Sequence, residues 1–357
     1  MVQSVAKHYV MASTRIEPLH AANIQCAFAM SSASPKLRLS PANLPDLRRR
    51  LLRWYDRNKR DLPWRKTRDP YQVWLSEIML QQTRVAAVID YYRRFLELFP
   101  TVAALAASSI EDVLAAWSGL GYYRRARALH ECARKIVNES GGKFPQCSEA
   151  LEALPGIGRY TAAAVASIAF NEAVAVVDGN VERVLQRIAG GSLTKDEVWE
   201  QANLVLSRRR PGDFNQAVME LGATVCLPRD PKCLVCPLNV FCRTRGELPS
   251  SASEVRRKRE IHYALNVRKN AVLLVQRPKG SSLMPEMWEL PESTSADTHK
   301  EPLLTLRHSI TVTDYTVRVV RDANPLLTKG RWVQRTKLTV LPLTGLARKI
   351  LRAAEII

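Results

Sequence analysis

The sequence predicts a mainly all-α protein that ends in a smaller α+β domain, and three observations predict it. From residue 41 to about 250 nearly every segment repeats its apolar residues at helical spacing, and no alternating strand pattern competes. After a polar stretch rich in Ser and Gly (243–256), the pattern changes to short runs with β-branched residues separated by turns. Between the two, four cysteines crowd into residues 226–242, a spacing that suits a ligand loop better than a secreted disulfide framework.

Element by element, 44–60 (LPDLRRRLLRWYDRNKR) reads as an amphipathic helix that stops before Asp61. Residues 71–99 carry a helical pattern broken once near Gln82–Thr83. The segment 109–120 starts with Ser109 placed to cap the first turn, followed by acids. Residues 122–140 form another amphipathic helix, stopped by Gly141–Gly142. Segment 148–170 is helix, tight turn, helix. Segment 178–188 is a helix capped by Asp178 or Asn180, and 195–206 and 213–226 complete the set. Beyond the break, YALNV (263–267), AVLLVQR (271–277), YTVRVVR (315–321) and KLTVLPL (337–343) read as short strands, and 346–357 as a closing helix. The expected division is an extension at 1–40, poorly ordered or preceded by a start codon placed too early, a helical domain at 41–245, a linker at 246–260 and a small domain at 261–357.

The chain of 357 residues is long enough for two cores. Its formal charge of +19 favours a polyanionic partner, with nucleic acid ahead of an anionic membrane surface. No run approaches the length of a membrane span, and residues 1–40 lack the basic and apolar regions of a secretory signal, so a cytoplasmic location is expected.

Cys226, Cys233, Cys236 and Cys242 follow C-x6-C-x2-C-x5-C. Four thiolates suit either zinc or an iron–sulfur cluster, although zinc sites usually come as two close pairs and here there is one. Arg229, Lys232, Arg243 and Arg245 give the loop a basic rim. Cys132 lies on a helix face as ordinary packing, and Cys26 and Cys147 have no evident partner. In Leu154-Pro-Gly-Ile-Gly-Arg159, Gly156 and Gly158 can turn the chain sharply and present backbone N–H groups at the start of a helix, a ready phosphate site. The helical surroundings argue against a dinucleotide fold, which needs a preceding strand. Two acids stand out. Glu77 interrupts an apolar helix, where burial would be costly; the competing reading is a solvated position. Asp178 begins a helix, either as a cap alone or as a cap whose charge is also used. They are 101 residues apart in the chain, so only the fold can bring them together.

Residues 41–245 resemble the endonuclease III superfamily of helix–hairpin–helix DNA glycosylases, and within it the A/G-specific adenine glycosylases of the MutY type. The resemblance is carried by LPWR (62–65), WLSEIMLQQTRV (74–85), WSGLGYYRRARALH (117–130), LPGIGRYTAAAV (154–165), VDGNVERVLQR (177–187) and the cysteine loop (226–242). It implies two helical lobes around a cleft, with a 4Fe–4S cluster on Cys226, Cys233, Cys236 and Cys242. It also implies Glu77 as general acid, Asp178 as support for the sugar cation and Asn180 as a residue that orients the site. Strand-cutting members carry a lysine directly after the turn; this chain has Tyr160, which cannot form a Schiff base, so an essentially monofunctional enzyme is implied. Gln82, Thr83, Leu120 and Tyr122 match residues that meet the duplex near the lesion, and Gly156, Gly158 and Arg159 those that grip phosphate.

The segment from 261 resembles the family's Nudix-like C-terminal domain through AVLLVQRP, PEMWELP and PLTGLARKIL. The Nudix metal-binding helix pattern is missing, which argues for reading DNA rather than hydrolysing nucleotides. Where the family often carries a Phe-Ser-His-like triplet that senses 8-oxoguanine, the counterpart is Ile310-Thr311-Val312; Thr311 keeps a hydroxyl and His308 stands nearby. The implied partner is duplex DNA with adenine opposite 8-oxoguanine or guanine, bound by a monomer associated with the bacterial nucleoid. The alternatives are a bifunctional pyrimidine glycosylase/lyase, a catalytically silent DNA-binding protein and a Nudix hydrolase.

Overall fold

Helical periodicity in the first part of the chain becomes eleven helices: α1 (Leu44–Asn58), α2 (Pro70–Leu80), α3 (Val85–Leu98), α4 (Val102–Ala107), α5 (Ile110–Trp117), α6 (Arg124–Ser140), α7 (Ser148–Glu152), α8 (Arg159–Ala169), α9 (Gly179–Ala189), α10 (Lys195–Val205) and α11 (Pro211–Thr224). This computed structural model describes residues 40–248, 257–281, 284–293, 301–310, 313–321, 330–339 and 341–357. All of them fall in one compact unit, Pro35–Ile357.

Local chemistry sets the helix ends. Asp69 caps α2 by accepting the Gln72 N–H, with Pro70 pre-set for the first turn. Ser109 caps α5 as expected, accepting from the Asp112 N–H. Thr194 and Glu197 form a reciprocal capping box on α10. Gly141 ends α6 in the left-handed conformation. The predicted break near Gln82–Thr83 is real: α2 ends at Leu80, α3 begins at Val85, and Gln82 sits at φ 54°.

The helices make two cores. One is built from α2 to α8 around Trp74, Phe95, Trp117 and Leu129. The other combines α1 with α9, α10 and α11 around Leu47, Leu51, Leu185 and Phe214, so the first helix closes a lobe that resumes more than a hundred residues later. Each fully buried Leu or Phe contributes roughly 1.5–3 kcal/mol over an exposed one.

The second part contains β1 (Arg257–Ala264), β2 (Val267–Arg268), β3 (Ala271–Gln276), β4 (Trp288–Glu289), β5 (Leu304–Ile310), β6 (Thr313–Val320), β7 (Arg331–Gln334) and α12 (Gly345–Ala353). One sheet has the order β1-β6-β5, with β1 parallel and β5 antiparallel to β6. In the other, β3 pairs with β2, β4 and β7, all antiparallel. Helix α12 buries Ile350 and Leu351 against both sets of strands.

Three expectations are corrected. The segment 246–260 is not all linker, because β1 starts at Arg257; its exposed RKRE half is held by the ladder to β6 rather than by burial. KLTVLPL does not form a strand among the described residues: Arg335–Lys337 is a 3-10 turn, and Leu338 and Leu343 are single buried anchors. Strands β5 and β7 were not anticipated, since LTLRHSI alternates only in part and RWVQ is too short to carry a period. The sheet region also packs on the first helical core. Met287 is fully buried there, Tyr123 Oη donates to the Leu343 carbonyl at 3.0 Å, and Arg127 pairs with Glu286 at 3.2 Å.

Candidate active site

Glu77 is presented by the apolar helix α2, where every residue from Val73 to Met79 is buried. The solvated reading is therefore wrong: Glu77 is 6% exposed. Tyr160 Oη donates a 2.7 Å hydrogen bond to Glu77 Oε2. Tyr160 reaches it because α8 starts directly after the Gly156–Gly158 turn, leaving it in the first turn of that helix. Burial pushes the Glu77 carboxyl up to about 7; the Tyr160 bond opposes this, nearby Asp178 reinforces it, and Arg65 opposes it. Burial and the two acids together hold the Tyr160 phenol well above its ordinary value.

Asp178, not Asn180, caps α9. Its Oδ1 accepts the N–H groups of Asn180 and Val181 at 2.9 and 2.7 Å, and its Oδ2 accepts Asn180 Nδ2 at 2.8 Å. Asn180 Oδ1 in turn accepts from Arg183, which also binds the carbonyls of Gly222 and Cys226. Three donors at a helix N-terminus stabilise negative charge on Asp178 while leaving its carboxylate at the cavity wall.

The fold closes the gap of 101 residues. A cavity of about 600 Å³ between the two cores is lined by Glu77, Tyr160, Asp178 and Asn180, together with Trp64, Arg65, Gln82, Met219 and Glu220. The sequence reading missed the last group apart from Gln82. Glu220 on α11 is fully buried and held by Arg60 and Arg65, with guanidinium–carboxylate distances of 2.7 and 2.8 Å. Burial alone would raise its pKa, but the hydrogen bonds from Arg60 and Arg65 outweigh it and pull the group down to about 2. An acid amid the apolar and small residues of AVMELGA was the available signal; Glu220 shows the same local anomaly as Glu77. A broader groove of about 700 Å³ lies along α6 near Arg127, His130 and Arg134 and holds neither Glu77 nor Asp178.

The turn before α8 is built as expected. Gly156 has φ 73°, and a Cβ there would run into the Ala128 side chain, so glycine is required. Gly158 is the N-cap of α8, and the Arg159 guanidinium stacks 3.8 Å from the centroid of the Trp199 ring on α10. Of the residues expected to meet a duplex, Gln82 is exposed at the rim of the cavity, and Tyr122 is 52% exposed with φ 50°. Thr83 is half-buried and bonded to Arg125. Leu120 differs from expectation: it is 7% exposed and packed in the first core, because the turn at 118–123 rolls it inward and Tyr122 outward. His308, on β5, is half-buried, and burial and then Lys349 lower its pKa. Thr311 and Val312 lie outside the described residues.

Cys226, Cys233, Cys236 and Cys242 line one small pocket with Arg187. All four are free thiols. Arg187 donates to Cys226 Sγ at 3.3 Å and to the carbonyls of Leu227 and Pro228, while the Arg245 N–H donates to Cys242 Sγ at 3.4 Å. Among the described residues no group of three or more His, Cys, Asp or Glu side chains is arranged to hold a metal ion. The donor chemistry, four soft thiols sharing one apolar pocket with N–H donors aimed at sulfur, fits a thiolate-held cluster.

Residues 75–207 match the model of a family described as HhH-GPD superfamily base excision DNA repair protein. The chain belongs to this superfamily. It is similar to adenine DNA glycosylases from Rattus norvegicus (52% identical over 217 residues) and Homo sapiens (50% over 219). Each match covers 57% of this chain and 42% or 40% of the relative, so the chain spans about two-fifths of their length. An adenine DNA glycosylase from Buchnera aphidicola subsp. Schizaphis graminum is 38% identical over 230 residues, covering 62% of this chain and 63% of that one. Among solved structures, a thermostable thymine-DNA glycosylase aligns with TM-score 0.54 at 32% identity, covering 57% of this chain and 97% of its own. A non-covalent endonuclease III–DNA complex aligns with TM-score 0.51 at 23% identity, covering 58% and 97%, a likeness of fold.

Proposed function

We propose that this chain is an adenine DNA glycosylase. It hydrolyses the N-glycosidic bond of adenine mispaired with 8-oxoguanine or guanine in duplex DNA, acts as a monomer, and leaves the strand essentially uncut. The observation that carries this reading is the pairing of two unlike carboxyls in one cavity. Glu77 is buried and held near neutrality, and Asp178 is held by three donors at a helix N-terminus. Burial of Glu77 and the polar cap around Asp178 support the roles of acid for the first and stabiliser for the second.

Adenine leaves poorly as an anion and better once a ring nitrogen is protonated. With a pKa of about 7, about half of the Glu77 population carries a proton at neutral pH. Tyr160 bonds one Glu77 oxygen, so the other can deliver that proton to N7. The bond from C1′ to the base then breaks with its electron pair on the base. The sugar cation lies against Asp178, water adds to C1′ and its proton is released. The adenine must leave the stack to enter the cavity, where Arg65, held in place by the buried Glu220, forms part of the wall. Gln82, at the rim of the cavity, and the exposed Tyr122 would fill the gap left in the duplex. Tyr160, which lies at the cavity beside Glu77, has no amine to form a Schiff base, which supports hydrolysis alone.

Cys226, Cys233, Cys236 and Cys242 would hold a 4Fe–4S cluster whose contribution is to shape the loop bearing Arg229, Lys232, Arg243 and Arg245. Hydrolysis moves no electrons, so no redox step is required. The region from 261 onward is proposed as the part that reads the base opposite adenine, through His308 and Thr311. An incision assay tests the whole reading. Duplexes with adenine opposite 8-oxoguanine, guanine or cytosine are incubated and then cut with alkali. Alkali-dependent cleavage at adenine is expected with the first two; cleavage without alkali, or a borohydride-trapped adduct, points to a lyase instead.

A further inference from the structure

We propose that Arg125 is a positioning residue that locks the turn at Gln81–Arg84 and the turn at Ser118–Tyr123 into one rigid, two-pronged unit, with Gln82 and Tyr122 as its prongs. One guanidinium reaches both turns. Its Nη1 donates to the carbonyls of Ile78 (2.7 Å), Met79 (3.1 Å) and Gln81. Its Nη2 donates to Thr83 Oγ1 (3.1 Å) and to the Gly121 carbonyl (3.3 Å). The plane lies over the rings of Trp117 and Tyr122, 5.5 and 5.2 Å from their centroids. Trp117 Nε1 donates to the same Gly121 carbonyl at 3.0 Å.

Three features distinguish this from ordinary packing. First, every acceptor is neutral, and among the described residues no carboxylate pairs with Arg125; a half-buried cation is spent on four backbone carbonyls and one hydroxyl. Second, Gln82 and Tyr122 both sit in the left-handed region, at φ 54° and 50°, without being glycine. Such conformations persist only where the surroundings over-determine them, and the guanidinium touches both turns. Third, three of the carbonyls it takes, from Ile78, Met79 and Gln81, lie in the last turn and at the C-cap of α2, the helix that carries Glu77, where a cation also favours the helix dipole. The planar fork of arginine can span five acceptors in this way; a lysine ammonium has three donors at a single point. Gln82 and Tyr122 are thereby set in place before any duplex arrives, so their ordering adds no cost to base extrusion. The DNA part of this inference rests on the glycosylase reading above, whereas the clamp rests on the geometry alone.

The test is hydrogen exchange by mass spectrometry on the full chain, with Arg125→Lys and Thr83→Val. In Arg125→Lys, amides in 81–84 and 118–123 should exchange at least tenfold faster in both segments together, while α9–α11 stay unchanged. Thr83 is hydrogen-bonded to the second turn through Arg125, so Thr83→Val should also speed exchange in 118–123. Unchanged exchange in either segment, or uniform acceleration across the molecule, overturns the clamp. With DNA, Arg125→Lys should slow single-turnover release of adenine at least tenfold from a mispair, and less than threefold from an unpaired bulge, where extrusion is cheap. Equal losses on both substrates overturn the prong role. If the wild type releases adenine from neither, the glycosylase reading falls and the exchange result still decides the clamp.

Discussion

Glu77 ties chemistry to stability through one proton. Its carboxyl titrates near 7 in the folded chain against about 4.5 when unfolded, because burial disfavours the charge. A raised carboxyl contributes stability that is fully present below about 4.5 and is lost as pH rises to about 7, a loss on the order of 3 kcal/mol. Glu77→Gln keeps a partner for Tyr160 and cannot ionise. It should therefore melt at a higher temperature than the wild type at pH 8 and at a similar one near pH 4.5. A thermal melt at the two pH values checks this; equal melting at both would mean that Glu77 is not held neutral. The same variant should bind mispaired DNA almost normally and release no adenine. Tyr160→Lys would place an amine beside Glu77 and near the sugar, and partial strand cleavage with a borohydride-trapped adduct is expected. Absence of any adduct on abasic DNA would mean that position 160 does not face C1′.

At the scale of elements, α2, α8, α9 and α11 each deliver part of the cavity, and the joints between them are polar. Glu220 on α11 is the most constrained of these, fully buried and gripped by Arg60 and Arg65 from the loop before α2. Its depressed pKa means that its stabilisation is present above about 4.5 and is lost as pH falls towards 2. Glu220→Gln should cost roughly 3–5 kcal/mol, because two guanidiniums lose their counter-charge in a closed site. Urea unfolding at pH 7 would measure it, and a cost under 1 kcal/mol would show that water replaces the pair. Much of this level was legible in the sequence. The caps at Ser109 and Asp178, the stop at Gly141 and the Gly156 turn are local signals that the fold leaves intact. The Arg65–Glu220 and Arg125 networks were not, because their partners lie 155 residues or tens of residues away and leave no periodicity. Strand β1 was hidden for a related reason, since a ladder rather than an apolar pattern holds its charged half. Leu120 was expected to meet the duplex, and its burial was not legible because a motif names residues without fixing which way a turn rolls them.

For the whole molecule, the +19 charge makes association with DNA salt-dependent, since each neutralised phosphate releases counterions. Log affinity for duplex should fall linearly and steeply with log salt concentration; a flat line would deny an electrostatic grip. The sheet region is bound into this design through the helical core. Met287→Ala should cost roughly 2–5 kcal/mol, as a large-to-small change at a fully buried site does. Removing 257–357 takes away Met287 and the Leu343 carbonyl that holds Tyr123 beside the Tyr122 turn. That truncation should weaken adenine release itself as well as the preference for 8-oxoguanine over guanine. Single-turnover rates on the two duplexes at one salt concentration separate these effects, and an unaltered rate ratio would place discrimination in the helical lobes.

In the proposed mechanism a carboxyl kept neutral by burial protonates the departing adenine. The most direct test of that step is the single-turnover rate of adenine release opposite 8-oxoguanine, followed from pH 5.5 to 9 in the wild type and in Glu77→Gln. The wild-type rate should fall about tenfold per pH unit above about 7, and the variant should show no measurable release at any pH. A wild-type rate that stays flat to pH 9, or a variant that keeps most of the rate, would contradict it.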